Sequence, residues 1–354
     1  MPLPSQIGRR SVMSSLVAVT ALSAFGAQAQ SADARKFQPR IDVHAHYMPA
    51  GYRAAAEAAG YAHPDGIPGL PHWDKTLAVD MMDGLNIRTA MLSISSPGVH
   101  FGDDAAARKL AREVNEEGAK VASDHPGRFG LFAALPLPDI DGALAEAAYA
   151  FDTLGADGVA VETNHHGMYM GDRRLDPLFA ELNRRRAVVF MHPTSPTCPC
   201  CQTLSLGYPR PLLEFMFETT RAVMNLLLTG TLDRFPDIRL IVPHAGAAVP
   251  VLADRVIGLA PAFLPEPVDP DHFFATLRRL YYDLAGYPLP RLAPALLQIA
   301  DPARIFYGSD WPFTPLPIVT RLAGEIDRTA LFDAATRRRV LHDNALDLFP
   351  RLRG

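Results

Sequence analysis

The amino-acid sequence predicts an α/β protein folded as a (β/α)8 TIM barrel, and three observations carry that prediction. Short apolar or β-branched runs alternate eight times with stretches of helical periodicity beyond Arg40. Strict β-then-α alternation means parallel strands joined by crossover helices. Several runs are apolar without interruption, as in Val188-Val189-Phe190-Met191, which a parallel sheet covered on its outer face requires. No GxGxxG follows the first run, and that removes a doubly wound sheet as the competitor. Eight such units in roughly 310 residues fit a barrel with some loop insertions. No internal repeat and no long Gly/Ser/Pro linker divides the chain.

Composition agrees. The 354 residues are 48% hydrophobic, 20% charged and 8% aromatic, which excludes a disordered or fibrous protein. A net charge of -4 gives no basic footprint, so nucleic acid is not an expected partner.

Residues 1–29 read as an export signal outside the fold. Arg9-Arg10 precedes an uncharged run from Val12 to Gly26, and Ala27-Gln28-Ala29 supplies the small-x-small cleavage pattern. The run falls short of the roughly 20 residues that span a bilayer, so no stable membrane anchor is expected. The paired arginines point to the twin-arginine route, which carries folded cargo and would suit a protein loaded with metal before export. The expected address is periplasmic, with the signal removed and one barrel domain over residues 30–354.

In order, the expected strands are Arg40–His46, Arg88–Ser95, Phe129–Pro136, Gly158–Thr163 and Ala187–Pro193, then Arg239–Gly246, Leu280–Gly286 and Ile305–Pro312. The helices between them are expected at Thr76–Leu85, Asp104–Asp124, Asp141–Leu154, Asp176–Arg185, Leu212–Phe235 and Pro250–Leu259. Further helical stretches at Asp271–Arg279 and Leu292–Ala300 flank the seventh strand, and Pro317–Ile326 with Ala334–Leu348 closes the chain.

Polar residues collect where these strands end. The first ends in Asp42-Val43-His44-Ala45-His46, the fifth in Met191-His192-Pro193, the sixth in Val242-Pro243-His244 and the eighth in Gly308-Ser309-Asp310-Trp311. A barrel builds its active site on that face, so these side chains converge although they are distant in sequence. His44 and His46 are two apart on a strand and therefore point to the same side, toward the interior. Imidazoles and a carboxylate around one axial point suit a borderline divalent metal such as zinc. Any one of these histidines could be an ordinary core histidine; four strand ends with ligand chemistry together argue for a metal.

The layout from about Ile41 to Leu348 resembles the amidohydrolase superfamily, and within it the amidohydrolase-related decarboxylases of the aminocarboxymuconate semialdehyde and salicylate type. The carriers are Asp42-Val43-His44-Ala45-His46, Phe190-Met191-His192-Pro193, Glu218-Thr219-Thr220-Arg221, Pro243-His244-Ala245-Gly246, Tyr307-Gly308-Ser309-Asp310-Trp311-Pro312 and Asp343-Asn344-Ala345. Ser93–His100, Leu135-Pro136-Leu137-Pro138-Asp139 and Gly207-Tyr208-Pro209-Arg210-Pro211 look most like the 6-methylsalicylate decarboxylase branch. The resemblance implies that His44, His46, His192 and Asp310 ligate one metal ion, Zn2+ with Mn2+ or Mg2+ as alternatives. It implies that His244 stands beside the ion as acid/base, with Asp310 also catalytic. It further implies a homodimer or higher homo-oligomer in which Arg255 reaches a neighbouring site and binds the substrate carboxylate; the plain alternative is an exposed helix arginine. One departure is Ala245-Gly246-Ala247-Ala248 where the family carries a glycine run. Many superfamily members bridge two metals through a strand-4 lysine. Lys36, Lys75, Lys109 and Lys120 all lie away from strand ends, and strand 4 ends Val161-Glu162-Thr163-Asn164, so one metal is expected.

A single metal beside a free histidine supports two chemistries. In the first, an ortho-hydroxy aromatic acid or enol-like diacid is decarboxylated: the metal holds and polarises the substrate, and His244 or a water on the metal protonates the carbon that loses CO2. In the second, an ester, lactone or amide is hydrolysed with His244 shuttling protons. The ligand set serves both, and the motif pattern favours the decarboxylase with a small carboxylic acid as partner. A metal-binding receptor without turnover is a third reading, which an intact acid/base opposes. Cys198, Cys200 and Cys201 sit too close together for easy disulfide geometry and read as a variable loop rather than a soft metal site. His165-His166 reads as a solvated loop pair, with contact to substrate at the mouth as the alternative. His63, His72, His100, His125, His272 and His342 receive no role.

Overall fold

A computed structural model describes residues 37–197 and 205–353. The export signal and the three cysteines lie outside the described residues. Eight parallel strands follow one another around a single sheet: β1 (Arg40–His46), β2 (Ile87–Ser93), β3 (Phe129–Ala134), β4 (Gly158–Glu162), β5 (Val188–His192), β6 (Arg239–Val242), β7 (Tyr281–Asp283) and β8 (Ile305–Phe306). Past β8 the chain returns to β1, where the Val43 N–H donates to the Tyr307 carbonyl at 3.0 Å and the His46 N–H to that of Trp311 at 2.8 Å. That seam brings the sheet round into a barrel.

The core has two parts. Ile41, Val43, Met91, Phe132, Phe190, Ile241 and Phe306 pack inside the barrel, and Leu348, Phe349 and Leu352 from the C-terminal segment pack with them. A larger apolar layer lies between the strands and the surrounding helices. Burying the chain end beneath the strands leaves the opposite mouth as the open one.

Helix Asp104–Asp124 coincides with its expected bounds and is capped by Asp103, whose carboxylate accepts the Ala106 N–H. Other elements depart from expectation for local reasons. The stretch Leu212–Phe235 is two helices, Glu214–Leu228 and Thr231–Arg234, because Gly230 takes φ 62° between them. Strand β6 stops at Val242 rather than Gly246, since Pro243 offers no N–H and His244, Ala245 and Ala247 all have positive φ. Ala334–Leu348 is interrupted by a π-helical turn at Arg339–Asp343. A helix and a small hairpin were not expected. A helix at Ala50–Ala58 fills the loop after β1, and Asn164–His165 pairs antiparallel with Met168–Tyr169 just beyond β4.

Candidate metal centre

Strand β1 aims its two histidines through a bulge. Between Asp42 and Ala45 it spends three steps against two on β2, where the partners are Ala90 and Leu92. The extra residue shifts the pleat, so Ile41 and Val43 face the barrel core while His44 and His46 also turn inward above them. Asp42 fixes the bend. Its fully buried carboxylate accepts the His44 N–H at 3.1 Å and the Ser309 N–H at 3.0 Å, joining β1 to the turn after β8. Burial pushes its pKa up to about 7 against those hydrogen bonds.

The sequence-expected ligands come together. One ligand atom from each of His44, His46, His192 and Asp310 can be chosen so that all lie within 4.8 Å of one another. The imidazole centroids stand 5.0 Å apart for His44–His46, 4.8 Å for His46–His192 and 5.3 Å for His44–His192. Asp310, on a backbone turn with φ 59°, places Oδ1 3.1 Å from His46 Nε2 and 3.4 Å from His44 Nε2. Burial opposes ionisation of Asp310, but the imidazoles of His244, His44 and His46 around it outweigh burial and hold the carboxyl well below its usual range.

Each histidine of the set is oriented from behind. With Nδ1 protonated, His44 donates to Asp283 Oδ2 at 2.9 Å, His46 to Ser93 Oγ at 2.9 Å and His192 to the Pro193 carbonyl at 2.7 Å. Every Nε2 is thereby left facing the centre, which is how outer partners set the tautomer of metal-binding imidazoles. His44 Nε2 is buried and has no hydrogen-bond partner, a position that a cation would complete. Three imidazoles and one carboxylate fit a single divalent metal, and a single divalent metal is what this cluster supports. Lys75, Lys109 and Lys120 are exposed on helices. Glu162 ends β4 instead, buried, with Oε2 3.8 Å from His192 Nδ1 and its pKa raised well above the carboxylate range by burial and by Asp65.

His244 belongs beside the set rather than in it. Its Nε2 lies 3.7 Å from Asp310 Oδ2, its ring centroid is 5.0 Å from that of His44, and its Nδ1 has no hydrogen-bond partner. Its backbone is wound tightly. His244, Ala245 and Ala247 have φ of 53°, 53° and 54°, a region costing an L-residue with a Cβ of order 1–2 kcal/mol. Glycines would remove that cost, and the alanines leave His244 on a strained, closely determined turn of the kind that clusters at active sites. Asp283 holds the turn, accepting the His244 N–H at 3.0 Å on Oδ1 while Oδ2 holds His44.

Two cavities open above the strand ends. One, of about 490 Å³, is lined by His192, His244 and Asp310 together with Phe215, Met216 and Ile318. The other, of about 280 Å³ on the β2–β4 side, is lined by Glu162, His100, His165 and His166. Asp65, at φ 56° in the segment between Ala50–Ala58 and the next helix, lines both. Arg255 is exposed on helix Val249–Phe263 and lines neither cavity of the single chain. The pair His165-His166 is not evenly solvated: His166 is exposed and donates from Nε2 to His100 Nδ1 at 3.0 Å, whereas His165 Nε2 is shut from solvent. Sequence reasoning gave no role to Asp42, Ser93 or Asp283. Asp283 had a signal of its own, an acid ending an apolar strand.

The amidohydrolase family profile matches residues 41–351. A 6-methylsalicylic acid decarboxylase of Aspergillus aculeatus is 38% identical over 324 residues, 89% of this chain and 97% of that one. A crystal structure described as an amidohydrolase II superposes with a TM-score of 0.82 at 34% identity, covering 88% of this chain and 99% of the other. A dihydroxybenzoic acid decarboxylase from a Polaromonas species, solved with manganese and 2-nitroresorcinol, shares the fold with a TM-score of 0.76 at 22% identity, covering 90% and 98%.

Proposed function

Because the chain belongs to the amidohydrolase family, we propose that its metal centre decarboxylates an ortho-hydroxybenzoic acid of the 6-methylsalicylate type without oxidation. The chain is a carboxy-lyase. The observation that carries the substrate reading is the free imidazole of His244 opening, with His192 and Asp310, into one apolar-walled cavity. His44, His46, His192 and Asp310 would hold the ion. Zinc suits the three imidazoles and one carboxylate; manganese, as in the Polaromonas protein, is the alternative. When bound, the metal would supply a fixed positive charge that favours an anionic substrate and stabilises charge developing on the ring.

The protein's own groups then do the rest. His244, protonated, gives its proton to the ring carbon bearing the carboxylate. The bond from that carbon to CO2 then breaks, and its electron pair restores the ring π pair that took up the proton, leaving hydrogen on the carbon where the carboxylate was. Asp310 holds His44, His46 and His244 around one point, and Phe215, Met216 and Ile318 exclude water from one side of the ring.

Arg255 is assigned to substrate carboxylate in a homodimer or higher homo-oligomer. Val251, Leu259 and Phe263, exposed around it on the same helix, support an apolar face covered by a second copy. Export by the twin-arginine route is part of the same reading. The test is a panel of hydroxybenzoates, aryl esters and lactones offered to metal-loaded protein with CO2 release followed. Release from ortho-hydroxy acids is expected; ester or lactone turnover without CO2 would replace this reading with hydrolysis.

A further inference from the structure

The 490 Å³ cavity has a polar floor and a mostly apolar remainder. His192, His244 and Asp310 form one end; Ile67, Leu212, Phe215, Met216, Phe313 and Ile318 make up much of the other wall, interrupted by Asp65, Ser95, Ser96, Tyr287 and Thr314. The apolar wall begins at the ligands themselves, since Phe215 packs edge-on to His192 at 6.1 Å and Phe313 edge-on to His46 at 5.4 Å. Among the described residues lining the cavity none is Lys or Arg, and the acids are Asp65 and Asp310. A second carboxylate on the substrate would meet apolar side chains and like charge, with no cation to offset its desolvation.

Size allows a tail. At about 490 Å³ the cavity falls within the roughly 300–1,000 Å³ of pockets that take drug-sized ligands, which leaves room beyond a methylated ring. We propose that this chamber takes ortho-hydroxybenzoates whose ring carries a short unbranched apolar chain, such as propyl or pentyl, in preference to methyl and to any chain ending in a charge. The proposal rests on the decarboxylase reading for its head group and on the wall for its tail.

The experiment has two arms. In the first, metal-loaded protein is given 6-methyl-, 6-propyl- and 6-pentylsalicylate, with a 6-carboxyethyl compound as the charged counterpart of propyl. The propyl substrate is expected to match or exceed methyl in kcat/KM, and the carboxyethyl compound to fall at least 100-fold below propyl. In the second, the products 3-methyl- and 3-propylphenol are titrated calorimetrically into the same protein, which judges the chamber without turnover. Two further buried methylenes should tighten binding about tenfold. Met216→Lys, which sets a cation in the wall, should weaken the propyl compounds and narrow the gap to the carboxyethyl one. Propyl binding no tighter than methyl, or a propyl substrate tenfold worse than methyl, overturns the chamber assignment. A tenfold-tighter propylphenol without any decarboxylation leaves the chamber standing and removes the head-group chemistry.

Discussion

Replacing His244 by Ala separates proton transfer from metal binding. His244 Nε2 stands 3.7 Å from Asp310 and outside the set whose ligand atoms lie within 4.8 Å of one another. The four donors therefore remain in place when the imidazole goes, and metal content should stay close to one per chain. A backbone of that kind admits alanine, since residue 245 is already an alanine at φ 53°. Activity should nevertheless fall about 10²–10⁴-fold, the usual worth of a positioned acid, which is about 3–5 kcal/mol of barrier. Asp310→Ala behaves differently. It removes the carboxylate at 3.1 and 3.4 Å from two imidazoles and the only anion of the set, so metal and activity should fall together. The assay is metal stoichiometry and CO2 release on the same preparations, with far-UV circular dichroism to confirm folding. A His244→Ala protein that arrives metal-free makes His244 a ligand and sinks the assignment. One that keeps full activity places the proton donor elsewhere.

Three more outcomes are expected. Gly308→Ala puts a Cβ 2.8 Å from that of His44 and 3.3 Å from that of Asp283; it should cost about 1–3 kcal/mol by overpacking and lower metal content, whereas normal loading would show that the turn gives way. His165 has its pKa pushed down to about 3 by burial, then by His166 and His100. The unfolded chain therefore binds the extra proton first, and stability is lost as pH drops below about 6.5. Between pH 7 and 4.5 the wild type should lose about 1–2 kcal/mol more than His165→Gln, after allowance for partial exposure; equal losses in urea unfolding would refute it. Residues 1–35 fused to a reporter should be exported, and changing Arg9 and Arg10 together to Lys should stop that; export that survives leaves an ordinary secretory signal.

Most of the barrel was legible because buried parallel strands must be apolar and end in whatever chemistry the mouth needs. That rule located His44, His46, His192, His244 and Asp310, each at or just beyond a strand end. It could not locate the bulge in β1, since one extra residue leaves no trace in composition. Only in hindsight does apolar Ile41 and Val43 followed by His44 and His46 reveal a change of phase. The strand ends after β6 and β8 were read too long, because irregular backbone at Pro243–Ala247 and at Asp310 carries the same residues that would extend a strand. Helix Ala50–Ala58 was missed as an insertion inside a loop, where the alternation gives no reason to seek one. The small hairpin after β4 did have a signal: His166 and Gly167 at φ 51° and 86° are the two central residues of a tight turn.

Asp283 is a hinge between two duties that are usually tuned separately. One oxygen steadies the His44 imidazole and the other steadies the main chain that presents His244. A cation drawing on His44 Nε2 would make the opposite N–H a stronger donor, and the charge it pulled from the carboxylate would be felt at the His244 amide. Loading the centre would thus reach the His244 main chain through a single side chain on the three-residue strand β7. Exchange protection at the His244 amide would report, from inside the barrel, whether the centre is filled.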